Sequence, residues 1–189
     1  MSPILGIYAS QISGHLFAPS GAYDSIATIT VGSGGTSAIN FTSIPATYTH
    51  LQLRGIIRGN RSGALDDLGM RFNGGSANIT THTLMGNGST ATATGTTAGS
   101  YSYFTAIASA SETSGVFSTI IIDILDYANT NKYKTFRALN GYDNNGSGRV
   151  SLASGVQLDT AAINQITMIP SNTTFVEYSS FALYGVKGQ

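Results

Sequence analysis

Apolar and polar positions alternate with a period of two along most of this chain. From His50 to Arg58, Leu51, Leu53 and Ile57 fall on one side, and Gln52, Arg54 and Arg58 on the other. That alternation predicts a half-buried strand. Leu68, Met70 and Phe72 repeat it, and Asn73 and Gly74 supply a tight-turn signal behind them. Ser25 to Val31 is rich in β-branched residues and stops at the small residues Gly32 to Gly35. Ala38 to Ile44 then reads as its partner, with Ile39 and Phe41 on one face. Tyr101 to Ser109 sets Tyr101, Tyr103 and Ile107 in phase. Val116 to Leu125 is the most apolar run and predicts a central strand buried on both faces. Thr135 to Asn140, Arg149 to Leu152, Ile163 to Ile169 and Phe175 to Val186 complete about ten short strands. A helix signal occurs at Thr160 to Asn164, where Asp159 offers a cap.

Short strands punctuated by Gly, Asn and Ser predict an all-β fold, a jelly-roll-type β-sandwich over 21–189 with an extended N-terminal arm at 1–20. Two segments break the pattern. Gly86 to Ser100 is small, neutral and low in complexity, with little apolar area to offset its ordering entropy. It is expected to be a long flexible loop at 86–100. The arm carries Ile4, Leu5, Ile7, Ile12, Leu16 and Phe17 without a clear period, and Gly14, Pro19 and Gly21 separate it from the first strand. It lacks a basic n-region, and Ser10, Gln11, Ser13 and His15 interrupt its apolar residues, so no secretory signal is expected.

Charged residues make up only 10% of the chain, against about 25% in an ordinary domain, and nine basic side chains balance nine acidic ones. No basic field is available for a phosphate backbone, so nucleic acid is not an expected partner. No segment reaches the roughly 20 apolar residues of a membrane span. The chain has no cysteine, which removes disulfides and thiolate zinc sites.

Candidate chemistry is sparse. His15, His50 and His82 are the imidazoles available as bases, and none stands in a catalytic motif. Asp66 and Asp67 read as a solvated turn. Asp123 interrupts the apolar run and needs a partner, for which Arg137 or Lys134 is placed. Asp143 to Gly148 contains calcium-ligand residue types, but lacks their alternation and a closing Glu, so it reads as a β-turn. The glycine clusters are not followed by helix-forming sequence, which leaves nucleotide binding unsupported. No catalytic residue, metal or cofactor is therefore expected.

Several segments then resemble one group of proteins: Gly21 to Thr28 (GAYDSIAT), Ile44 to Leu51 (IPATYTHL) with Leu53 to Ile56 (LRGI), Met70 to Asn73 (MRFN), Asp126 to Lys132 (DYANTNK) and Ser180 to Val186 (SFALYGV). In this order they are similar to small β-rich structural proteins of tailed bacteriophages, especially an aquatic group with members of decoration or fibre type. The resemblance spans nearly the whole chain from Gly21 onward, and Pro3 to Ile7 looks like the attachment peptides of such proteins. It implies a non-enzymatic virion protein on the particle exterior, of capsid-decoration or head-fibre type. The arm, through Ile4, Leu5, Ile7, Ile12, Leu16 and Phe17, is expected to anchor it to a capsid or tail protein. Self-association is expected, a homotrimer by analogy. The alternative is a tail-fibre or receptor-binding module for host surface glycan, with Tyr101, Tyr103, Tyr142, Asn144 and Asn145 as the ligand surface and Tyr127 and Tyr133 as further stacking candidates.

Overall fold

The structure is a computed structural model that describes residues 21–75, 78–99, 102–171 and 173–188. The anchoring residues Ile4, Leu5, Ile7, Ile12, Leu16 and Phe17 and the ligand candidate Tyr101 lie outside these residues. The described residues form twelve strands: β1 (Tyr23–Thr30), β2 (Ile39–Phe41), β3 (His50–Ile57), β4 (Leu65–Phe72), β5 (Ile79–Gly86), β6 (Ala91–Gly99), β7 (Ser102–Ala108), β8 (Ser118–Leu125), β9 (Lys134–Asp143), β10 (Gly148–Gln157), β11 (Ile166–Pro170) and β12 (Ser180–Val186). The large sheet has eight strands in the order β1-β12-β3-β8-β9-β10-β5-β6, and the small sheet four in the order β2-β11-β4-β7. Every pairing is antiparallel.

The two sheets pack face to face because each strand presents one apolar face. Leu51 and Leu53 from β3, Ile120, Ile122 and Ile124 from β8, and Phe181 and Leu183 from β12 meet Leu68, Met70 and Phe72 from β4 and Ile166 and Met168 from β11. The Phe136 ring of β9 stands edge-on to Phe72 and Phe104 of the small sheet, at 6.3 and 5.3 Å between centroids. Polar bridges hold β7 where apolar contact thins out. Asn140 Nδ2 donates to Thr105 Oγ1 and to the Ala106 carbonyl, Thr105 and Ser151 share a hydroxyl bond of 2.6 Å, and Thr83 donates to the Phe104 carbonyl. These bonds tie β7 to β5, β9 and β10, although Asn140 Oδ1 is left buried without a donor.

Four expectations need correction. The segment 86–100 contains a strand: β6 pairs along β5 from Gly86↔Ala91 to Ile79↔Gly99. Its threonines are β-branched, and pairing satisfies the backbone without apolar burial. Asn87 closes the turn by accepting from the Ser89 and Thr90 amides. Second, the run at Val116 to Leu125 is buried on one face only. Ile121 and Leu125 face outward because the small sheet covers a single side of the large one. Third, Asp66 is fully buried in β4 instead of solvated, accepting a bond from the Thr173 hydroxyl. Fourth, Thr160 to Asn164 is not helical; Asp159 Oδ1 accepts from the Ala161 amide and makes a turn there.

Candidate functional site

The outer face of the large sheet departs from the polar-out pattern of an ordinary antiparallel sheet. Register places Arg54, Ile121, Leu139, Leu152, Leu84 and Ala93 side by side in one row across β3, β8, β9, β10, β5 and β6. Ile121 is 42% exposed, Leu139 and Leu152 53%, and Leu84 56%. The next row adds exposed Ile56 on β3 and Val150 on β10. Single exposed apolar side chains are ordinary, but a contiguous band of large ones is not. A groove of about 660 Å³ runs beside it, lined by Leu84, Ala93, Leu152, His82, Gly95 and Arg137. The His82 imidazole lies over Gly95, where a Cβ would stand 2.8 Å from its ring.

A polar strip continues the row of His82 and Arg137 across β8 and β3, on the groove side of the band. Arg54 Nε donates to Gln52 Oε1 at 2.7 Å, Gln52 Nε2 donates to Asp123 Oδ1 at 2.7 Å, and Arg137 Nε donates to Asp123 Oδ2 at 3.1 Å. The expected Asp123–Arg137 pair is therefore formed. The Arg54 guanidinium lies 5.3 Å from the ring centroids of both Tyr23 and Tyr184. Asp123 is thus met by Arg137, while Arg54 meets the neutral Gln52 amide and the two rings.

A second feature lies at one end of the sandwich. A cleft of about 360 Å³ opens between the β5–β6 and β9–β10 hairpins, with Met85, Thr92, Tyr142, Ser147 and Arg149 in its wall. The β9–β10 turn is the one expected at Asp143 to Gly148: Asn144 N donates to the Ser147 carbonyl, Asp143 Oδ1 accepts from the Asn145 amide, and Asn145 and Gly146 have φ of 50° and 112°. The loop from Ala110 to Val116 supports this hairpin. Glu112 on that loop accepts from Tyr142 Oη at 3.1 Å and from Asn144 Nδ2. Burial and the Glu112 carboxylate push the Tyr142 phenol above its ordinary value. The loop is itself held by Arg58, whose guanidinium donates to the carbonyls of Thr113, Val116, Glu112 and Ala110.

Of the expected ligand residues, Tyr142 lines this cleft, while half-buried Tyr103 lines a smaller cavity of about 120 Å³ that also reaches Met85 and Arg149. Asn144 is engaged by Glu112, and Asn145 points outward at the turn. Tyr127 is fully buried, with its hydroxyl donating to the Pro45 carbonyl, and is a core residue. Tyr133 is exposed and outside the cleft lining.

His50 Nδ1 accepts from the Asp126 amide at 3.0 Å, which ties the ring to the backbone. Among the described residues, no group of three His, Asp or Glu side chains could hold a metal ion, and no helix is long and apolar enough to cross a membrane. Comparisons with protein families, with curated proteins and with solved structures find no match. Sequence reasoning missed the outer band and Arg149. The band's signal is apolar residues at both parities in β8 and β9, as in Ile120 to Ile122 and Ala138 with Leu139.

Proposed function

We propose that this chain is a non-enzymatic structural protein of a tailed-phage virion, displayed on the particle exterior as a capsid decoration or head fibre. Copies associate through the outer face of the large sheet. The observation that carries this reading is the exposed row Ile121, Leu139, Leu152 and Leu84, in register across four strands. With Ile56 and Val150, these side chains leave on the order of 500 Å² of apolar surface in water, against about 800 Å² per partner in a standard interface. Another copy of this chain is the occupant that fits. The strip carries two guanidiniums against one carboxylate, with Arg54 bonded to the neutral Gln52 amide and set over Tyr23 and Tyr184 at the edge of the band. Copies therefore meet across the uncharged row of Ile121, Leu139, Leu152 and Leu84. Three copies turned inward about one axis is the expected arrangement, by analogy with the resembling proteins.

Strand order supports a jelly roll. β1, β12, β3 and β8 lie in one sheet, and β2, β11, β4 and β7 in the other. The chain crosses between sheets at each step of this set except β4 to β7. Removing the β5–β6 and β9–β10 hairpins leaves the eight strands of two Greek keys. The segments that resemble phage proteins lie largely in this set: Leu53 to Ile56 in β3, Met70 to Phe72 in β4, and Ser180 to Val186 in β12. Anchoring is assigned to the arm, through Ile4, Leu5, Ile7, Ile12, Leu16 and Phe17.

Immunogold labelling of intact purified particles tests the virion assignment. Gold on the particle surface is the expected result. Protein detected in infected-cell lysate but on no particle overturns it. Removal of residues 2–19 is expected to abolish labelling while the sandwich stays folded.

A further inference from the structure

Arg149 opens β10 in the wall of the end cleft, and its contacts differ from those of the cations around it. Arg137 meets Asp123, Arg61 meets Asp67, Lys132 meets Asp126, and Arg58 meets four carbonyls. Arg149 has neither a carboxylate nor a carbonyl partner among the described residues. Its Nη2 rests on Met85 Sδ, and its Nε is buried with no acceptor. A thioether is a weak acceptor, so a charged fork is held in a half-buried cleft with its stronger bonds unmade. None of the nearby acids bonds Arg149: Asp67 faces Arg61 at 3.8 Å, Glu112 accepts from Tyr142 and Asn144, and Asp143 accepts from the Asn145 amide.

A carboxylate matches the planar Nε–Nη2 edge with two parallel bonds. Met85 stands where one of its oxygens would sit, and its flexible side chain can swing aside. The rest of the wall suits a sugar. The Thr92 and Ser147 hydroxyls can both donate and accept, and the Tyr142 ring, steadied through its hydroxyl by Glu112, offers a flat apolar side. The volume of about 360 Å³ lies at the lower end of the roughly 300–1,000 Å³ of small-ligand sites. We propose that this cleft binds an acidic sugar residue of a surface polysaccharide, its carboxylate on Arg149 and its ring against Tyr142. Asn144 and Asn145 shape the hairpin and do not contact the ligand.

The test is calorimetric titration of the full chain with a trigalacturonate, its methyl ester, and an acidic dipeptide. Trigalacturonate is expected to bind, the ester at least tenfold more weakly, and the dipeptide no better than the ester. Arg149→Gln abolishes binding, Arg149→Lys restores part of it, and Met85→Ala binds as tightly as the parent or more so. Thermal melts check that each variant is folded. Equal binding of acid and ester by the unaltered chain, or no binding of acid at millimolar concentration, overturns the proposal. Dipeptide binding as tight as trigalacturonate overturns the assignment to sugar. Measured on the isolated chain, these outcomes are separate from whether particles carry the protein.

Discussion

Replacing Arg58 should do damage at two distances. Its guanidinium is buried beyond the end of β3 and makes three bonds of 2.7–2.8 Å, to the carbonyls of Val116, Thr113 and Glu112, with a longer one of 3.4 Å to Ala110. Bonds from a charged donor contribute about 1.5–3 kcal/mol each, but bonds sharing one side chain do not add. Arg58→Ala is therefore expected to lower the unfolding free energy by about 3–5 kcal/mol, close to the loss on breaking a buried ionic group. For a chain of this size that is roughly 6–20 °C in Tm. Arg58→Lys keeps the charge but lacks the planar fork, and should lose about 2 kcal/mol. Urea unfolding, with the slope unchanged between variants, measures both. The same loop carries Glu112, which holds Tyr142 and Asn144. Amide exchange in 110–117 and 142–148 should accelerate together in Arg58→Lys. A loss below about 1 kcal/mol in Arg58→Ala would refute the carbonyl cage as a stabilising device. Unchanged exchange at 142–148 would refute its link to the cleft.

Two further substitutions test the packing. Gly185 of β12 lies against the Tyr48 ring, and a Cβ there would stand 2.3 Å from ring atoms. Gly185→Ala should cost about 1–3 kcal/mol by overpacking, and a Tm within 1 °C of the parent would contradict it. Burial pushes the Asp66 carboxyl above its ordinary value of 3.8. A raised folded value means that the native state holds the proton where the unfolded chain has lost it. The group's favourable contribution is therefore complete below 3.8 and is lost as pH rises through the folded value. Asp66→Asn cannot ionise, so its stability relative to the parent should improve as pH rises from about 4 to 7. Parallel stability–pH curves for the two proteins would remove Asp66 as the cause.

The strands that could be read from the sequence are those with a single apolar parity. In β3, Leu51, Leu53 and Ile57 alternate with polar neighbours and lie in the core as expected. Where both parities are apolar, as in Ile120 to Ile122, the pattern cannot distinguish burial on two faces from a core face backed by a sticky outer one. Only the extent of the small sheet decides. β6 is hidden for the opposite reason: its small neutral residues bury nothing, and its order comes from pairing with β5. Arg58 shares the parity of Gln52 and Arg54, yet it lies past the end of β3, where the chain turns and the side chain is enclosed. Asp66 beside Asp67 reads as a solvated turn because nothing nearby in sequence announces Thr173, more than a hundred residues on. The unmatched state of Arg149 is likewise a tertiary fact, set by what two hairpins fail to bring to it.

The outer face of the large sheet is the centre of the account, and its role in association is measurable in one experiment. Burying the exposed half of Ile121 and of Leu152 gains about 2 kcal/mol each, so Ile121→Glu with Leu152→Glu should weaken self-association at least about a thousand-fold. Both side chains already have about half of their surface in water, so the fold should survive. In sedimentation velocity from about 1 to 100 μM, the parent is expected to run as an oligomer, a trimer in the favoured arrangement. The double variant is expected to run as a 19.6 kDa monomer with an unchanged circular dichroism spectrum. A parent that stays monomeric over this range, or a double variant that assembles as the parent does, contradicts the account.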